Sequence, residues 1–250
     1  MKNTIRAALA AASLLVPAIA SAQNLRIGLR EDPDILDPTL SRTYVGRIVY
    51  MALCDKLFDV NERLEVVPQL ATGFRWENPT TLIVTLREGV RFHDGEAMDA
   101  EAVRYSLNRH LTLQGSFRRS EIADMERVEV VDPRTVRIVL KAPSASFVAA
   151  LTDRAGMIVS PKAAEALGRN FGTRPVCAGP FRFVERVAQE RIVVERGEHP
   201  LRPRHLPAHP RQHRAPGQPS VRRRRIRRAN GARRHEDHPA RAQPARRGGG

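Results

Sequence analysis

Residues 82–111 read LIVTLREGVRFHDGEAMDAEAVRYSLNRHL, and the rest of the chain is best read outward from them. Leu82, Val84 and Leu86 alternate with Ile83 and Thr85, a period-two run rich in β-branched residues that predicts a strand. Glu88-Gly89 breaks the run, and Val90-Arg91-Phe92 predicts a second, short strand. Asp94-Gly95 is a turn dipeptide, because glycine reaches positive φ without a steric penalty. Asp99 stands where a helix N-cap belongs: its carboxylate can accept from the free amides of the first turn, and Glu101 adds negative charge at the same end. Val103, Leu107 and Leu111 recur every fourth residue and give that helix one apolar face. The order is strand, turn, short strand, turn, helix.

The blocks LREGVRFHDGE (86–96) and DAEAVRYSLNRH (99–110), at this spacing, resemble the signature of the family-5 extracytoplasmic solute-binding proteins, the dipeptide, oligopeptide and nickel receptors of ABC importers. The resemblance implies an α/β fold: a periplasmic binding protein-like lobe of type II, the peptide-receptor type, with mixed sheets and flanking helices. It implies a monomeric receptor that closes on a peptide or similar small solute, needs no cofactor, and delivers its cargo to an inner-membrane ABC permease. Closure works by ligand contacts made only in the closed state, which shift the open–closed equilibrium.

The two ends differ from the middle. Residues 1–22 hold Lys2 and Arg6, an apolar run from Ala7 to Ala20 broken by Ser13 and Pro17, and then Ala20-Ser21-Ala22. That is a charged n-region, an h-region and an A-x-A cleavage site, and the run is too short to cross a hydrocarbon core as a helix. A cleaved signal peptide is expected, with the mature chain starting at Gln23 and exported to the periplasm. No Cys follows the site, so a lipid-anchored N-terminus is not expected.

From residue 197 to 250 there are 15 Arg, 8 Pro, 6 His and 6 Gly, with no Lys, Phe, Tyr, Trp or Met. This tail carries +12 of the chain's +15, so the high isoelectric point belongs to the tail and not to the near-neutral body. Three readings stand. An Arg-rich tail suits nucleic acid or an anionic surface. So few apolar residues also suit disorder. The third reading is GC-rich codons translated out of frame, which give this mixture of Arg, Pro, Ala, His and Gly. The third is preferred, and no nucleic-acid partner is expected; an exported protein with an Arg-rich binding tail is the alternative.

The body repays reading in order. Leu25-Arg-Ile-Gly-Leu29 alternates as a short strand, followed by the acidic, proline-containing loop Glu31-Asp-Pro-Asp-Ile-Leu-Asp-Pro38. Leu36-Asp37-Pro38 resembles a triplet that closes this loop at the mouth of the family's ligand cleft. The resemblance makes Asp32 and Asp34 candidate ligand-binding residues; a role in capping turns and the next helix is the equal alternative. Apolar residues from Tyr44 to Leu57 predict a helix. LCDKLFDVN (53–61) and VPQLATGFRWEN (67–78) resemble further family segments, and Trp76 is expected in the core. Val128–Val131 and Thr135–Leu140, joined by Asp132-Pro-Arg134, predict a hairpin. Phe147, Val148 and Leu151 mark one side of a short helix, Met157–Val159 a short buried strand, and Ser160-Pro161 a helix start ending near Gly168.

No catalytic constellation emerges. His93-Asp94 could suggest a proton relay, but neighbours on an extended segment point to opposite faces, and no nucleophile elbow, phosphate-cradling glycine loop or close Cys/His cluster for zinc is present. His209 and His213 have helical spacing, but Pro210 between them argues against a helix. The chain is therefore expected not to be an enzyme and to bind no metal.

PVCAGPFRF (175–183) resembles the family signature where the chain leaves the smaller subdomain and re-enters the main one. The domain organisation this implies is 1–22 signal peptide, 23–196 first lobe (23–50 and 170–196 main subdomain, 51–169 smaller subdomain), and 197–250 tail. The resemblance stops where a second lobe would begin, so the lobe is expected to be incomplete, the second lobe absent and binding poor. Position 177 departs from the family pattern: Cys stands where a small residue is usual, and Cys54 is the other cysteine of the pair the chain contains. Export favours a disulfide between them, and the resemblance places both beside the main subdomain. Two buried free thiols are the alternative.

Overall fold

The computed structural model describes residues 24–197. The signal peptide expected at 1–22, the histidines of the tail and the tail itself beyond Gly197 lie outside the described residues.

Helix α1 spans Tyr44–Leu53, with Thr43 as N-cap accepting from the Gly46 amide. It stops four residues short of the expected Leu57. The Cys54 amide closes the last turn on the Tyr50 carbonyl at 2.7 Å, and the chain then leaves as extended backbone, Leu57 donating to Gly156 O at 2.9 Å. Two short strands follow, β1 (Phe58–Val60) and β2 (Val66–Pro68), paired antiparallel.

The decisive stretch lies in a four-stranded sheet. Strands β3 (Ala71–Asn78), β4 (Thr81–Leu86), β5 (Met125–Asp132) and β6 (Thr135–Leu140) take the order β3-β4-β6-β5. The register aligns Val128 with Ile138, Ile138 with Leu82, and Leu82 with Trp76. Val84 likewise pairs with Val136. These inward side chains pack against helix α2 (Ala100–Thr112), whose Val103 and Leu107 are fully buried. Asp99 caps α2 as expected, accepting from the Ala102 amide at 3.0 Å. The expected hairpin is β5–β6, with Asp132 accepting from the Arg134 amide in the turn.

Trp76 corrects an expectation. It points along the row of Leu82 and Ile138 but is 38% exposed, because β3 is the outer strand of the sheet and most of its residues are exposed. Val90-Arg91-Phe92 is not a strand either. The chain doubles back so tightly across Asp94-Gly95 that a single bridge, Arg91 to Ala97, forms. Met157–Val159 is fully buried as expected, but makes two isolated bridges, to Lys56 and Cys177, and no ladder.

The chain continues through helix α3 (Phe147–Ala150), a 3-10 turn at Arg154–Gly156, helix α4 (Pro161–Leu167) and a second 3-10 segment at Gly168–Thr173. Ser160 caps α4 by accepting from the Ala163 amide. Strands β7 (Phe181–Val187) and β8 (Arg191–Arg196) close the described region as an antiparallel pair.

The described residues thus form an α/β lobe of small sheets with flanking helices, and each ladder among them is antiparallel, which narrows the expected mixed sheets to antiparallel pairings here. Two apolar clusters lie inside it. The larger joins the four-stranded sheet, α2, Phe147 and Leu151; the smaller gathers Leu36, Tyr50, Leu53, Met157, Val159, Phe171 and the cysteine pair. Cys54 and Cys177 form a disulfide with Cα atoms 4.9 Å apart, both buried.

The expected strand at 25–29 is absent. Leu25 and Ile27 are 84% and 72% exposed. Alternation alone does not make a strand: the backbone groups need a partner edge, and among the described residues none is supplied.

Candidate functional site

Residues 31–43 contain neither helix nor strand, yet much of the segment is buried. Irregular backbone can be buried only if its polar groups find partners. Here basic side chains from distant parts of the chain supply many of them. Arg186 on β7 pairs with Asp32 at 2.8 Å and also donates to the Pro33 carbonyl. Arg109 on α2 forks onto Asp37, Nη1 to Oδ1 at 2.9 Å and Nη2 to Oδ2 at 2.6 Å, and donates to Thr39 Oγ1. Arg118 and Arg154 both donate to the Ser41 carbonyl at 3.3 Å, and Arg154 also reaches Thr43 O. Tyr50 donates its hydroxyl to the Ile35 carbonyl.

Asp34 organises the far end. Its Oδ1 accepts from the Ser41 and Thr43 hydroxyls at 2.8 and 3.0 Å, and its Oδ2 from the Arg42 amide at 2.8 Å. Burial works to raise the Asp34 pKa, but the Arg42 amide and these hydroxyls outweigh it and hold the carboxyl below its ordinary value. Asp32 is also held low, chiefly by the Arg186 hydrogen bond against some burial, with the Gln189 amide adding to it at 3.1 Å. Both candidate residues therefore sit on one loop with their carboxylates occupied by the protein itself.

His110 lies beneath the loop. Its Nε2 contacts the Met157 carbonyl at 2.9 Å, so Nε2 carries the proton and donates. Nδ1 then accepts from Thr39 Oγ1 at 2.9 Å. Burial pushes the imidazole down to about 4; the Arg109 and Arg118 charges press the same way, while the Met157 hydrogen bond and Asp37 oppose them. The ring is thus a neutral link between loop, α2 and the buried segment at Met157.

The His-Asp-Gly turn of the decisive stretch is a stitch and not a relay. The His93 amide donates to Cys177 O at 2.9 Å, and its Nε2 contacts Gly179 O at 2.9 Å. Asp94 accepts from the Ser160 hydroxyl at 2.6 Å, and Gly95 takes φ of 88°. The two side chains reach different neighbours from the two positions of the turn. The turn therefore ties the sheet side to the crossover at the disulfide. At that crossover Gly179 has no room for a side chain: a Cβ would lie 2.3 Å from the Leu53 carbonyl oxygen.

Sequence reading missed the basic clamps because they are non-local. Asp37 and Arg109 are 72 positions apart, and Asp32 and Arg186 154. One signal was present: His110, three residues beyond Leu107, falls near the apolar face of α2, where an unpaired polar ring would be costly. Among the described residues no group of three or more His, Cys, Asp or Glu could hold a metal, and no helix is long and apolar enough to cross a membrane.

Comparison with known proteins places this geometry. The profile of the bacterial extracellular solute-binding proteins, family 5 (middle region), matches residues 65–204. The glutathione-binding protein GsiB of Salmonella paratyphi A is 33% identical over 177 residues, which cover 70% of this chain and 34% of that protein. Among solved structures, the periplasmic binding protein AgaA of A. tumefaciens R10, in complex with agropinic acid, superposes with a TM-score of 0.63 at 27% identity, over 66% of this chain and 34% of the other. The nickel ABC transporter protein of Bacillus halodurans gives 0.57 at 26%, over 66% and 33%. The chain spans about a third of the length of these relatives. The signature at 86–110, the profile match over more than half of the chain and the shared lobe agree: this chain belongs to the family-5 bacterial extracellular solute-binding proteins.

Proposed function

We propose that the described residues are the first lobe of the periplasmic substrate-binding component of an ABC importer for peptides or similar small solutes, and that this lobe by itself binds only weakly. The observation that carries this reading is the braced loop at 31–43 in a chain of this family. A recognition loop whose irregular backbone is already ordered loses less entropy when a solute binds. The relatives matched are named for glutathione, agropinic acid and nickel, which suits a small polar solute here as well.

In this reading Asp32 and Asp34 are cleft residues that shape the mouth by holding the loop. The segments 23–50 and 170–196 belong to the main subdomain and 51–169 to the smaller one. A signal peptide at 1–22 directs export to the periplasm, the partner is an inner-membrane permease, the intact receptor is a monomer, and it catalyses no reaction. Calorimetry and NMR titration of the full chain with glutathione and trialanine test it. Weak, saturable, millimolar binding with the ligand recovered unchanged is expected; turnover of the ligand, or no binding of either, overturns the reading.

A further inference from the structure

We infer that Arg42 is the residue of the braced loop that grips a carboxylate of the solute. This rests on the receptor reading above and goes beyond it by naming the recognised group and the residue. Consider the charged side chains from 32 to 43. Asp32 is taken by Arg186, Asp34 by two hydroxyls and an amide, and Asp37 by Arg109. Among the described residues, the guanidinium of Arg42 alone in this segment has no hydrogen bond or ion pair. Between residues 32 and 43 the charge left free is therefore cationic, while Glu31, one position earlier, is an exposed anion that also has no hydrogen bond among the described residues.

Arg42 is also placed in advance. Its own amide is fixed on Asp34 at 2.8 Å, and the carbonyl before it is held by Arg118 and Arg154. Its guanidinium carbon lies 5.1 Å from the centroid of the Phe117 ring, and Phe117 is tied to the loop by its amide, which donates to Thr39 O at 3.0 Å. A ring supports the guanidinium by its face and leaves the N–H donors at its edge open. Those donors form a planar fork that matches the two oxygens of a carboxylate. Two residues on, Tyr44 is 69% exposed, and its hydroxyl has no hydrogen-bond partner among the described residues. Fixed backbone, supported guanidinium and free donors describe an anion grip.

The test is an NMR titration of the full chain with trialanine and with trialanine amide, reading the Arg42 side-chain Nε–H. Trialanine should shift that resonance saturably, and the amide should bind about tenfold more weakly, as loss of a bidentate charged contact requires. Arg42→Gln should bring trialanine down to the level of the amide and abolish the discrimination; Arg42→Lys, which keeps the charge but not the fork, should restore part of it. Arg30→Gln, which removes an exposed charge outside the segment, should leave both affinities unchanged. If Arg42→Gln melts like the parent and binds trialanine equally well, or if acid and amide bind alike, the Arg42 assignment fails while the receptor reading stands. If the parent binds neither peptide nor glutathione, both fall together.

Discussion

Arg109 forks onto Asp37 from the last turn of α2, the longest helix among the described residues, and neither side chain is appreciably exposed: 6% and 0%. The pair joins the loop before α1 to α2. The Arg109 guanidinium also lies 5.2 Å from the centroid of Phe171, so three separate stretches meet on one cation. Removing one member of a buried pair leaves an uncompensated charge and costs about 3–5 kcal/mol, whereas replacing both by apolar groups costs much less. Urea unfolding should therefore show Asp37→Asn or Arg109→Met each severely destabilised, and Asp37→Leu/Arg109→Met less so than the sum of the single changes. Strict additivity would show that the fork carries no coupling.

His110 makes stability pH-dependent in a defined window. Its folded pKa is lowered to about 4 from an ordinary 6.5, with burial the main cause. The unfolded chain therefore takes up the proton first as pH falls. Stability from this group is fully present above pH 6.5 and is lost progressively toward pH 4. The loss is on the order of 3 kcal/mol, at about 1.4 kcal/mol for each tenfold step. Denaturant midpoints from pH 7.5 to 4 should fall in the parent and fall less steeply in His110→Gln. Parallel slopes in the two would exclude this histidine as the source.

The disulfide between Cys54 and Cys177 closes a loop with a sequence separation of 123, and both cysteines are buried. In the chain-entropy account such a bridge is worth on the order of 5 kcal/mol, and usually less in practice. Digestion without reductant should yield the two cysteine peptides linked, and Cys54→Ala/Cys177→Ala should melt well below the parent. Native alkylation of both thiols would disprove the bridge.

Gly179 tests the same crossover from the backbone side. A methyl group there would collide with the Leu53 carbonyl, which also accepts from the Gly179 amide at 2.9 Å. Gly179→Ala should cost about 2 kcal/mol or more, because backbone and not a flexible side chain must give way. Gly73→Ala, with nothing within 4 Å of the added methyl, should be mild by comparison. Equal melting temperatures would mean that the crossover yields freely.

Exposed apolar surface gives a fifth expectation. Tyr44, Ile48 and Met51 line the outer side of α1 at helical spacing, and Leu25 and Ile27 are also exposed. Contiguous apolar surface of this sort drives association. The full chain should bind a hydrophobic dye and self-associate with rising concentration, and Ile48→Lys/Met51→Lys should reduce both. A monomer that ignores the dye would contradict this.

How much of this was legible from residues depends on the range of the interactions. The cap at Asp99, the turn at Asp94-Gly95, the β5–β6 hairpin and the Ser160-Pro161 helix start were all readable. Each rests on bonds between residues a few positions apart, so the local sequence contains both partners. The segment at 25–29 has the correct alternation and still forms no strand, because pairing needs an edge from elsewhere. Trp76 shows the same limit: its type suggested the core, but its place on the outer strand leaves it 38% exposed.

The sequence by itself determined the family, through the signature at 86–110, and the positions of turns and caps. It also marked the loop at 31–38 and its aspartates as the place to look. Only the tertiary structure decided what those aspartates do. Asp32, Asp34 and Asp37 are equivalent as residue types; one meets Arg186, one meets hydroxyls and an amide of the next turn, and one is buried on Arg109. Partners drawn from 154, 8 and 72 positions away are chosen by the packing of the whole lobe, and it is the same packing that leaves Arg42 with its charge unspent.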